Sequence, residues 1–214
     1  MTDDLPTALD DLSDREHDGQ SFEGVSASAG GVSAAYFEDC TFRRCDLERI
    51  ALEGCEFSRG TFQDCNLSLA SVPDTRFAEV VFRSCKLTGI DWTEGSWPNV
   101  SVSDLVTFDG CTLDYSAFMG LRLPGTEFRD CSLVEVDFSD CDLSGANFAG
   151  SELSGARFAT TDLRKAHLEG AVGYDIDIAR NDVTGMTVSL PEGLVFLEHL
   201  GLEIVEAPAG AREP

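Results

Sequence analysis

From residue 141 to 163 the sequence reads CDLSGANFAGSELSGARFATTDL, and a leucine or phenylalanine returns at every fifth position: Leu143, Phe148, Leu153, Phe158 and Leu163. Two residues before each stands a smaller one: Cys141, Ala146, Ser151, Ala156 and Thr161. A period of five fits neither an amphipathic helix, which repeats every ~3.6 residues, nor a half-buried strand, which alternates. It requires a repeat architecture, in which each unit buries its apolar residues only when neighbours stack on it.

The frame begins weakly at Phe22 and runs firmly from Phe37 to Val102. It then takes one step of six residues to Phe108 and continues to Leu168, fading through Ile178, Val183 and Val188. The longer step implies one inserted residue near Asp104 and Leu105. If four repeats make one turn, positions 20 apart stack. With one inserted residue, a single face then collects Phe37, Phe57, Phe77, Trp97, Phe118, Phe138 and Phe158. Looping out a whole repeat would instead place the last three under Leu52, Val72 and Trp92.

The order small, polar, Leu or Phe, polar, Gly or polar resembles that of pentapeptide-repeat proteins, over about 150 of the 214 residues. The resemblance implies an all-β solenoid, a right-handed quadrilateral β-helix with four pentapeptides per coil. The central Leu or Phe and the preceding small residue would both point inward.

Residues 1–19 hold seven acids and one base and read as an acidic N-terminal tail. The solenoid is expected over 20–188, a C-terminal helix and short strand over 189–205, and a tail over 206–214. Ser189 and Glu192 have capping-box spacing, with Pro191 between them, and Gly201 supplies a stop for a helix over about 190–200. Leu202, Glu203, Ile204 and Val205 alternate like a strand. Such an element caps the open edge of the last coil. The resemblance to Qnr-type members of the family further implies a homodimer joined tail to tail, through Leu190, Leu194, Leu197 and Leu200.

All eight cysteines, Cys40, Cys45, Cys55, Cys65, Cys85, Cys111, Cys131 and Cys141, occupy the small slot of the repeat. Ala, Val, Ser and Thr fill that slot elsewhere, so these are packing residues, not disulfide partners or metal ligands. The three histidines, His17, His167 and His199, have no serine or cysteine at catalytic spacing, and no phosphate loop, HExxH or CxxC motif occurs. No enzyme activity, cofactor or metal is expected. No apolar stretch is long enough to span a bilayer and no signal peptide is visible, which points to the cytoplasm.

Acids outnumber bases 39 to 15, for a net charge of −24. That balance disfavours nucleic acid and anionic membranes and favours a basic protein. The four-sided register groups Glu53, Asp74, Asp91, Glu94, Asp114, Glu135, Glu152 and Asp175 on one face without a lysine or arginine. At ~4.8 Å per coil these carboxylates recur about once per 5 Å. Duplex DNA is denser, at one charge per ~1.7 Å.

The resemblance to Qnr-type proteins implies a DNA mimic that binds DNA gyrase or topoisomerase IV and modulates it or protects it from quinolones. Glu53, Asp74, Asp91, Glu94, Asp114, Glu135 and Glu152 are the expected partner contacts. With only one inserted residue the chain resembles the loopless members, which implies topoisomerase inhibition ahead of drug protection. The alternative is a scaffolding module with an unrelated partner.

Overall fold

The computed structural model describes residues 12–26, 30–97 and 106–205. They form a parallel β-solenoid of about eight turns with one short C-terminal helix. The alternation of an inward large residue, an inward small residue and a corner dictates this form. The central Leu or Phe and the residue two before it are buried in nearly every repeat. The fifth residue turns the corner in the left-handed region, as at Gly145 (φ 69°) and Gly150 (φ 71°), where glycine is unstrained.

Four ladders of parallel pairing define four faces. Face 1 carries Phe22, Phe42, Phe62, Phe82, Phe108, Phe128 and Phe148. Face 2 carries Leu47, Leu67, Leu87, Leu113, Leu133 and Leu153. Face 3 carries Val32, Leu52, Val72, Trp92, Phe118, Phe138 and Phe158. Face 4 carries His17, Phe37, Phe57 and Phe77, then Leu123, Leu143 and Leu163.

The register corrects the expected one-residue insertion. Phe62 pairs with Phe82 at the regular spacing of 20, but Phe82 pairs with Phe108 and Asp91 with Ala117, each 26 residues on. The chain between Trp97 and Val106 is therefore six residues, a whole repeat plus one, longer than the regular register requires. Asp104 and Leu105 themselves lie outside the described residues. Phe118 accordingly stacks on Trp92, with centroids 5.7 Å apart, and not on Trp97. The unbroken aromatic column is that of face 1, whose six successive stacks have centroids 4.5–5.4 Å apart. Trp97 donates its indole N–H to the Trp92 carbonyl at 2.7 Å and lies tilted against Phe77.

The solenoid also starts earlier than expected. Glu16–Asp18 is a strand in register with Tyr36–Glu38, and Leu12 and His17 are buried. His17 stands in the central slot that Leu or Phe fills elsewhere, which hid the first coil in the sequence. Its ring stacks on Phe37 at 4.9 Å, and its nitrogens lie 3.2 Å from Leu12 O and 3.2 Å from Gln20 Oε1. Only residues 1–11 of the expected tail, together with the C-terminal tail over 206–214, remain outside the described residues.

At the other end the helix is shorter than expected. A 3-10 turn, Glu192–Leu194, leads into α1 (Val195–His199), and residues 202–205 form no strand. The capping box does not form, because the Ser189 hydroxyl instead accepts the Gly170 N–H of the coil beneath at 2.9 Å. Phe196 stacks on Tyr174 at 5.8 Å, and His199 reaches Ile176 O at 3.1 Å and Asp175 at 2.7 Å. The cap is held by these contacts and not by the leucine side expected to face the coil.

Candidate partner-binding surface

Two consequences of the register reorganise the surface. Glu53, Asp74, Asp91 and Glu94 belong to face 3, while Asp114, Glu135 and Glu152 belong to face 2 or to the corner it shares with face 3. The single acidic face expected from the sequence is therefore two segments on adjoining faces. Face 3 carries no lysine or arginine from Val32 to Phe138, and Arg157 is its first base. Face 2 carries Arg49 and Lys86 in its first half and none from Leu113 to Leu153. Around the coils of Leu113 and Leu133 the base-free surface is thus two faces wide. Asp137 and Asp140, which the sequence register assigned elsewhere, join it there.

The seven expected contact residues share a second property. None of them has an ion-pair partner among the described residues. Carboxylates elsewhere on the coil are widely paired: Asp39 and Glu38 with Arg59, Glu56 with Arg76, Glu127 with Arg129, Asp142 with Arg122, and Asp162 with Arg164. On the base-free surface Asp137 alone is paired, with Arg157 at 3.7 Å. Hydrogen bonds from the paired guanidinium groups hold the Asp39 and Asp162 carboxyls below the usual carboxylate range.

Local hydrogen bonds orient several of the unpaired acids. Asp91 Oδ1 accepts the Thr93 N–H at 3.0 Å and the Thr93 hydroxyl at 2.5 Å. Glu94 Oε2 accepts the Ser71 hydroxyl at 3.1 Å, one coil away. Asp114 Oδ1 accepts the Ser132 hydroxyl at 2.6 Å and the Val134 N–H at 3.0 Å, and Glu152 accepts the Ser154 N–H at 3.0 Å. These partners are neutral, so the negative charge is fixed in place without being cancelled. Glu53, Asp74 and Glu135 are exposed.

The C-terminal leucines are largely exposed. Leu190, Leu197 and Leu200 are exposed, with Leu202, Ile204 and Val205 beside them in sequence, while Leu194 is half-buried.

Inside the coil all eight cysteines are free and buried. Each thiol approaches the carbonyl of the central residue one coil before, as Cys141 does Phe118 O at 3.0 Å and Cys111 does Phe82 O at 3.4 Å. Thr75, Ser116, Ser151 and Thr161 donate hydroxyls to equivalent carbonyls at 2.6–3.0 Å. The slot therefore accepts a small side chain with a donor beside the Ala and Val that fill it elsewhere, a mixture visible in the sequence. Burial pushes the thiols of Cys40 and Cys55 up, and that of Cys141 up to about 12. His17 is part of the first coil, His167 is exposed beside Glu169 and Thr187, and His199 belongs to the cap. No group of metal-ligating side chains occurs among the described residues, and none of their helices is long and apolar enough to cross a membrane.

A four-sided parallel solenoid with a five-residue unit, filled by stacked Phe and Leu, defines the class of pentapeptide-repeat folds. The chain belongs to the pentapeptide-repeat family, whose repeat-region model matches residues 35–118 and 95–168. No curated protein matches it. Among solved structures it is similar to a trypsin-treated variant of QnrB1, a plasmid-mediated fluoroquinolone resistance protein, at 20% identity. That match covers 91% of this chain and 93% of the other with a TM-score of 0.65. It is similar also to full-length QnrB1, at 18% identity over 87% of this chain and 100% of the other, with a TM-score of 0.59.

Proposed function

We propose that this chain is a non-catalytic ligand of a type II topoisomerase, DNA gyrase or topoisomerase IV, and competes with DNA for the enzyme's basic groove. The observation that carries this reading is the base-free surface on which Glu53, Asp74, Asp91, Glu94, Asp114, Glu135 and Glu152 stand without ion-pair partners. A paired carboxylate presents a weak field, whereas a column of unpaired ones steers and holds a cationic surface. The likeness of fold to a fluoroquinolone resistance protein supports the choice of partner. Occupancy of the groove then modulates the enzyme and lowers its susceptibility to quinolones.

The exposed Leu190, Leu197 and Leu200 further support a homodimer through the C-terminal cap. Sedimentation should give twice the mass of the 214-residue chain, and Leu197→Glu with Leu200→Glu should return it to one. A monomer in the unaltered protein removes the dimer from the account.

The functional test is gyrase supercoiling of relaxed plasmid with increasing amounts of this protein, with and without a quinolone. Inhibition, or rescue from the drug, is the expected result. No effect on either reaction would sink the topoisomerase reading.

A further inference from the structure

We propose that Leu69, Tyr115 and Met119 form an apolar anchor within the acidic surface, which docks into an apolar socket bordered by lysines and arginines on the partner protein. The inference rests on the topoisomerase reading and deepens it by naming the contact that DNA itself does not make.

The corner between faces 2 and 3 carries, coil by coil, Arg49, Leu69, Gly89, Tyr115, Glu135 and Gly155. All six have left-handed backbone, with φ between 57° and 70°. That conformation is unstrained for glycine and disfavoured for bulky side chains. Strain of this kind is offset where a side chain gains burial, but Leu69 is 47% exposed and Tyr115 66% exposed. Neither backbone preference nor packing within the coil accounts for a leucine and a tyrosine at these corners. Exposed polar residues hold the same conformation at other corners, as at Arg49, Asp64, Asp140 and Lys165, so the corner tolerates a side chain without requiring an apolar one. An exposed leucine and tyrosine on a corner whose other members are glycine or charged point to a role outside the fold.

The surroundings indicate what that role is. A Cβ on Gly89 would meet Leu69 Cδ2 at 2.7 Å, so the glycine lets the leucine side chain lie along the corner towards Tyr115. Met119, 54% exposed, lies on face 3 in the repeat that follows Tyr115. Asp114 precedes Tyr115, Asp91 stands one coil before Ala117, and Glu135 occupies the next coil of the same corner. None of these three acids is ion-paired among the described residues. The nearest cations on these faces are Lys86, one coil before and across face 2, and Arg157, two coils after on face 3 and paired with Asp137.

An apolar centre containing a tyrosine and enclosed by a charged rim is the arrangement in which interfaces concentrate their affinity. Here the sign of the rim selects a basic partner. The rim contributes a salt-sensitive part of the binding, and the anchor contributes a part that salt does not weaken.

The test compares Tyr115→Gly and Leu69→Gly with the unaltered protein, using DNA gyrase as the probe. Glycine relieves the left-handed corner, so thermal stability should stay equal or rise. The Kd for gyrase should rise about tenfold or more, while the slope of log Kd against log salt stays the same because no charge changes. Met119→Ser, away from the strained corner, should weaken binding in the same way if a glycine variant fails to fold. Variants that bind gyrase as tightly as the unaltered protein would overturn the anchor alone. Failure of the unaltered protein to bind would overturn the topoisomerase reading and the anchor with it.

Discussion

Cys141 shows how one slot combines packing with chemistry. Its thiol fills a small inward position and donates to Phe118 O at 3.0 Å, so serine satisfies the same slot, as it does at Ser116 and Ser151. Burial raises the Cys141 thiol from 9.0 in the open chain to about 12 in the fold. Stability is therefore intact below about 9 and falls as pH rises towards about 12, because unfolding then releases a proton that the fold retains. Each such thiol steepens the alkaline decline by about 1.4 kcal/mol per pH unit. Cys141→Ser should change stability by only about 1 kcal/mol at neutral pH and make the decline shallower in urea titrations between pH 8 and 11. An unchanged slope would show that this thiol does not stay protonated in the fold.

Columns of side chains are the elements that hold this molecule together. Phe108 lies between Phe82 and Phe128, with centroids 5.4 and 5.1 Å away, in a coil without strand pairing outside its neighbours. Phe108→Ala should cost about 3–5 kcal/mol and Phe108→Leu much less, since the slot accepts leucine on other faces. Equal losses in denaturant unfolding would contradict the packing account. The five-residue period made the solenoid and its inward slots legible in the sequence, and the family resemblance implied its four sides. Two features were not legible. The histidine in the central slot of the first coil concealed that coil, since period alone does not distinguish an imidazole that stacks from one that is solvated. The six-residue step after Val102 suggests one extra residue because that reading gives an all-aromatic column, and the pairing of Phe82 with Phe108 shows a repeat plus one instead. The extra repeat moved Asp114, Glu135 and Glu152 off the face of Asp91, so the acids were identifiable while their shared face was not. The cap was legible as apolar, but Ser189 bonds to the coil beneath instead of closing a capping box.

On the scale of the whole molecule the excess of 39 acids over 15 bases is not spread evenly in effect. Ion pairs cancel much of it on faces 1 and 4, as between Arg59 and Asp39, and leave it uncancelled along face 3 and the second half of face 2. A rod with one uncompensated side offers a basic groove a single preferred orientation, with an affinity that falls as salt screens the charge. The most direct measurement is displacement of labelled duplex DNA from gyrase by this protein at two salt concentrations, with Asp91→Lys and Glu94→Lys as the reversed form and Asp162→Lys as a control at a paired site. The account predicts displacement that weakens steeply at the higher salt, fails in the reversed form and persists in the control. Binding to gyrase that leaves the DNA in place, or displacement indifferent to salt and to charge reversal, would contradict it.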